Sequence, residues 1–171
     1  SYSSGPLAGR EIAYCFVGQS GIDVVDVTDK SNMTRLARVN YPNMVYSHQG
    51  WLDRQTDLLY LNDELDESTG AVPVVTTRVF DVSNPSTPVL LSTFTNGLPV
   101  IDHNLYVKGG IIYQANYRSG LRVFDATSTP TAPVETGFFD TFDGADAPQF
   151  DGAWSVFPFF PSGNVIVSDI Q

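Results

Sequence analysis

The chain has 171 residues, 42% of them apolar and only 16% charged, which is enough to bury a sizeable core and too apolar for a disordered chain. Nine basic residues against nineteen acidic ones leave a net charge of −10, which repels phosphate backbones and argues against a nucleic-acid partner. No run approaches the roughly 20 apolar residues of a membrane span, and fourteen Gly with eleven Pro read as many short strands joined by tight turns.

Residues 1–10 read as an N-terminal linker. The opening Ser1 to Gly5 has neither Met nor a signal-peptide pattern, as in a mature or excised chain. The apolar run 12–17 follows and holds Cys15, the one cysteine, so the sequence carries no internal disulfide framework and the thiol reads as buried and inert. Then comes IDVVDVT at 22–28, the first of three related strings. RVFDVS at 78–83 and LRVFDAT at 121–127 repeat its form, placing Asp26, Asp81 and Asp125 at intervals of 55 and 44. Each Asp is followed by Thr, Ser or Pro, the composition of an Asx-type turn that the carboxylate closes onto backbone N–H groups.

Further elements recur in phase. Apolar strands follow each turn at 34–39, 89–94 and 134–139. His48-Gln49-Gly50-Trp51 matches His103-Asn104-Leu105-Tyr106, each 22 residues after its Asp, and Asp151-Gly152-Ala153-Trp154 matches more loosely. The last element is LLYL at 58–61, IIYQ at 111–114 and VIVS at 165–168. A period near fifty with four short strands per unit predicts an all-β fold of β-propeller blades, each a four-stranded antiparallel repeat. The strands divide as a partial blade over 11–39, blades over 47–94 and 102–139, and a partial blade over 151–170, within a β-propeller segment 11–171. Such an incomplete propeller fragment leaves two open edges, to be met by the remaining blades or by neighbouring chains.

The strings at 21–31 and 119–125 resemble the LVIVD repeat. Those at 46–52, 62–67, 101–104, 113–121 and 159–168 resemble the choice-of-anchor B family. The resemblance implies a secreted or surface-displayed propeller, extracellular and envelope-attached, with no established enzymatic activity and with further blades outside this chain.

Candidate sites are few. His48 and His103, the two histidines, occupy equivalent positions on first strands that line a propeller channel, and imidazole suits a transition metal. The competing reading is a structural hydrogen bond to the next blade, with Asp102 orienting His103. Asp63, Glu64 and Asp66, with Glu67, form the densest acidic cluster and offer hard oxygen ligands for calcium. A solvated, flexible loop is the plainer reading there. Asp140, Asp143, Asp146 and Asp151 around Gly144 form a second acidic loop, and neither loop matches D-x-D-x-D-G. Asn32 heads the one glycosylation sequon, relevant only in a eukaryotic secretory setting. Trp51, Trp154 and the aromatic run 157–160 read as packing between blades. No nucleophile motif appears, so the expectation is a non-enzymatic, non-catalytic module for binding, adhesion or scaffolding, with a surface protein or glycan as ligand. An open β-assembly completed by neighbouring strands is the alternative, and a metal-dependent propeller enzyme the distant one.

Overall fold

The computed structural model describes Tyr2 and residues 7–170. Of the expected linker, Ser1 and residues 3–6 lie outside the described residues. Tyr2 is buried, and its hydroxyl donates to the Val82 carbonyl at 2.7 Å and meets the Tyr14 hydroxyl.

Thirteen strands and no helix make up the described residues. They form antiparallel sheets in strict chain order. The first holds β1 (Ile12–Phe16), β2 (Ile22–Asp26) and β3 (Thr34–Val39). The second holds β4 (Ser47–Asp53), β5 (Leu58–Asp63), β6 (Thr77–Asp81) and β7 (Val89–Phe94). β8 (Asn104–Lys108), β9 (Ile111–Ala115), β10 (Leu121–Asp125) and β11 (Val134–Phe139) form the third. β12 (Ala153–Phe157) and β13 (Ile166–Asp169) form the last. Each sheet is a meander, and the first strands β4, β8 and β12 lie side by side. The fold is therefore all-β, built of four-stranded antiparallel propeller blades.

The apolar pattern explains the layering. Core clusters sit between successive sheets: Ile22, Leu59, Leu61, Phe80 and Val82 between the first and second, and Tyr60, Val79, Leu105, Ile112 and Phe124 between the second and third. β5 is buried at all six positions because both of its faces are covered, and its LLYL core is accordingly unbroken by polar residues. The outer strand β11 alternates between exposed and half-buried, as a strand with one wet face must.

The repeat is visible in fine geometry. Asp26, Asp81 and Asp125 each end the third strand of a blade and accept the backbone N–H two residues on, at 3.0, 2.8 and 2.8 Å. The pairing of third with fourth strand slips at the same place each time, between Val24 and Val25, Val79 and Phe80, and Val123 and Phe124. These bulges add the local twist that lets a blade fan outward.

Two expectations change. Cys15 is exposed, not buried. It lies on β1, an edge strand of its sheet, and its side chain leaves by the face opposite Tyr14 and Phe16, which pack on the core. The β5–β6 connection, residues 64–76, is not a solvated acidic loop. It folds back so that Asp66, Glu67, Val72 and Val75 are buried. What permits this is Arg78, itself buried, whose guanidinium pairs with Asp66 and donates to the Thr76 carbonyl at 2.8 Å.

Candidate functional site

The first strands carry the site. In β4 the register with β5 passes from Ser47 to Gln49, so His48 is an extra residue that no partner opposes. In β12 it passes from Ala153 to Ser155, so Trp154 is the extra residue. At the start of β8 the His103 N–H bonds the Ala115 carbonyl at 3.1 Å while Asn104 already pairs with Ala115. His48, His103 and Trp154 are thus equivalent, each turned out of its ladder by a bulge. Their rings stack across three blades, His48 to His103 at 4.7 Å and His103 to Trp154 at 4.3 Å between centroids. Trp51 and Tyr106 form a parallel column three residues on, 4.9 Å apart, continued at 6.4 Å by Phe157. The sequence alignment that paired Trp154 with Trp51 is therefore shifted by three residues, because the preceding loop is longer in the last blade.

Glu64, the first residue beyond β5, reaches the two imidazoles. Its Oε2 lies 3.4 Å from His48 Nδ1 and its Oε1 lies 3.5 Å from His103 Nε2. Among the described residues, one ligand-competent atom from each of His48, Glu64 and His103 lies within 4.8 Å of the other two. Asp63 and Asp66 do not join them. Asp63 accepts from the Tyr41 hydroxyl at 2.9 Å and from the Val45 and Tyr46 N–H groups at 2.8 and 2.7 Å, and Asp66 is paired with Arg78. Of the acidic cluster, only Glu64 faces the histidines.

The protonation of His103 follows from its neighbours. Nδ1 lies 2.5 Å from the Trp154 carbonyl, which can only accept, so Nδ1 carries the proton. The Asn104 amide donates to the same carbonyl at 3.0 Å and lies 2.7 Å from Nδ1, two donors sharing one acceptor. Nε2 is left with its lone pair toward Glu64. Burial holds His103 below the usual imidazole range, opposed by the Trp154 carbonyl and the Glu64 charge. A neutral imidazole facing a carboxylate is a pair of acceptors needing a cation or proton between them. Asp102 does not orient His103: its carboxylate is bonded to the Asn62 amide.

Tyr117 was not singled out by sequence. Its hydroxyl donates to Glu64 Oε1 at 2.7 Å, and burial raises its pKa above the ordinary phenol value, so the proton stays on the tyrosine. It sits at φ 36°, unusual for a side-chain-bearing residue. The corresponding turn of the first sheet holds Gly18 at φ 53°, and both residues bridge to the next blade, Gly18 to Ser47 and Tyr117 to Ala153. A tyrosine where the repeat elsewhere uses glycine is the signal that marks this position.

Asn32 is exposed in the turn between β2 and β3. In the second acidic loop, Asp151 is committed to Arg118 and Asp140 caps the Phe142 N–H. An apolar cleft of about 410 Å³ between β1 and β4, lined by Tyr14, Phe16, Trp51 and Leu52, includes none of the three cluster residues.

The pattern of the LVIVD repeat matches residues 13–40, 78–96 and 103–141, together just over half of the sequence. The chain belongs to the LVIVD repeat family. The matched stretches of LVIVD sequence contain β2 and β10 and all of β6 but Thr77, with their terminal Asp residues. No curated protein sequence matches the chain. Among solved structures, a protein from Bacteroides fragilis provisionally named a 6-phosphogluconolactonase superposes with a TM-score of 0.69 at 14% identity, over 97% of this chain and 47% of its own. A protein from Lactobacillus plantarum superposes with a TM-score of 0.67 at 16% identity, over 93% of this chain and 46% of its own. At such identities the likeness shows the fold, and the LVIVD chain spans about half the length of these structures. It also corrects one expectation. A non-catalytic adhesive or scaffolding module, with its open-assembly alternative, does not follow from this architecture, because the fold is shared with a protein named as an enzyme.

Proposed function

We propose that the bulges of β4 and β8 build a transition-metal centre from His48, His103 and Glu64, and that this centre supports hydrolysis. The observation that carries the proposal is the spacing. Ligand atoms at neighbouring corners of a zinc tetrahedron with bonds near 2.0–2.1 Å stand about 3.3–3.4 Å apart; each imidazole lies at such a separation from one Glu64 oxygen, 3.4 Å to Oε2 and 3.5 Å to Oε1, and one atom from each of the three residues falls within 4.8 Å of the others. Two further features support it. His103 has its second ring nitrogen fixed on a backbone carbonyl, the outer contact that orients a metal-binding imidazole. Three protein ligands leave a fourth position free, the arrangement of catalytic rather than structural zinc.

A zinc ion held there supplies an activated water near neutral pH and polarises a carbonyl. The chain's own residues would fix the ligands: Tyr117 holds Glu64, Trp154 holds His103, and the half-buried His48 keeps one side open to solvent. An ester or lactone is the substrate class to try first, given the name carried by the Bacteroides fragilis structure. The longer strings at 46–52, 62–67, 101–104 and 113–121 support placing the chain in the choice-of-anchor B group and hence outside the cell. The free edges of β1 and β13 are then where further blades would pair.

The test is metal analysis of the purified chain with His48→Gln, His103→Gln and Glu64→Gln, followed by a lactone and ester panel. One zinc per chain, lost in the histidine variants, with hydrolysis reduced at least about 100-fold in each, is expected. Wild-type protein that takes up no stoichiometric transition metal overturns the reading.

A further inference from the structure

A second polar cluster joins the second and third sheets. Glu67, Asp102, Asn62 and Asn116 are each more than nine-tenths buried. Each keeps one oxygen that is inaccessible and has no hydrogen-bond partner: Glu67 Oε2, Asp102 Oδ1, Asn62 Oδ1 and Asn116 Oδ1. The rest of the network binds these residues together. The Asn62 amide donates to Asp102 and, at 3.2 Å, to the Thr77 hydroxyl. Gln114 donates to the same hydroxyl at 2.7 Å and accepts from Asn116 at 3.2 Å. Glu67 Oε1 takes the N–H of Thr76, next to Thr77, at 3.1 Å.

Charge sharpens the problem. Four carboxylates are buried or nearly so in this region: Asp63, Asp66, Glu67 and Asp102. Asp63 is saturated by four donors, from Tyr41, Val45, Tyr46 and Leu65, and Asp66 is paired with Arg78. Glu67 has no paired cation, and burial followed by the charge of Asp102 pushes it toward the neutral acid. Orphaned acceptors and an unpaired carboxylate in the interior are destabilising unless a cation fills the site.

We propose that Glu67, Asp102, Asn62 and Asn116 hold one calcium ion that ties the β5–β6 connection to the start of the third blade. Two carboxylates match its charge, and with two amide carbonyls they supply four hard oxygens of the larger all-oxygen shell that suits calcium and not zinc. The residues come from a loop and from the ends of β5 and β9 with the approach to β8, so an ion there joins segments that are distant in sequence. This proposal is independent of the histidine centre. It differs from the calcium reading of the sequence, which grouped Asp63, Glu64 and Asp66.

Thermal unfolding of chelator-stripped protein with and without calcium tests it. Calcium at about 100-fold above its dissociation constant should raise Tm by about 5–10 °C, with one ion bound per chain. Glu67→Gln and Asp102→Asn, which keep shape and relieve repulsion, should fold and lose the calcium response. His48→Gln should lose zinc and keep it. If protons occupy the site instead, wild type shows no calcium shift up to millimolar concentration, and the proposal falls. It falls equally if the shift persists in Glu67→Gln.

Discussion

Replacing Tyr117 with Phe removes one oxygen and nothing else. The ring keeps its contacts with His103 at 5.0 Å, Phe150 at 5.5 Å and Trp154 at 6.0 Å, and the backbone keeps its φ of 36°. What disappears is the donor to Glu64 Oε1 at 2.7 Å. A hydrogen bond to a charged group is worth about 1.5–3 kcal/mol, and Glu64 is 14% exposed, so little solvent replaces it. A domain of this size loses about 2–4 °C of Tm per kcal/mol, giving an expected drop of about 3–12 °C. Zinc affinity should fall about 10–100-fold, the usual effect of removing a group that orients a ligand. The assays are melting followed by near-ultraviolet circular dichroism, and competition for zinc against a chromophoric chelator. A variant whose zinc affinity stays within about twofold of wild type would refute the chain of reasoning from Tyr117 through Glu64 to the metal.

Burial holds the pKa of His103 below its ordinary value, so the unfolded chain takes up this proton first as pH falls. The stability due to neutral His103 is full above about pH 6.5 and is lost as pH drops toward the folded value; in metal-free protein, His103→Gln should flatten denaturant-measured stability below that pH. Arg78→Met leaves Asp66 buried beside Glu67 and Asp102, and should cost about 3–5 kcal/mol in urea unfolding, part of which adding Asp66→Asn restores. Gly120→Ala places a methyl 2.3 Å from the Phe139 carbonyl at φ +73°, and a loss of about 2 kcal/mol or more is expected in thermal melts.

Much of the fold was legible in the chain because strand periodicity and turn chemistry are local. The Val-Phe-Asp strings, their Asx turns and the 22-residue step from Asp to His need no knowledge of distant residues, and they locate the β6 and β10 strands directly. The equivalence of His48 and His103 was legible for the same reason. The composition of the Glu64 site was not. Glu64, Asp63 and Asp66 look alike in sequence, and only tertiary packing sends Asp63 to the Tyr41 hydroxyl, Asp66 to Arg78 and Glu64 to the imidazoles. Tyr117 reaches Glu64 from 53 residues away. The burial of Glu67 and Asp102 was equally invisible, because whether a carboxylate meets water or another blade depends on how sheets stack, and stacking is set by side chains far apart in the chain. Local sequence thus determined the strands and the repeat, while the partners of each carboxylate were decided by the packing of one blade on the next.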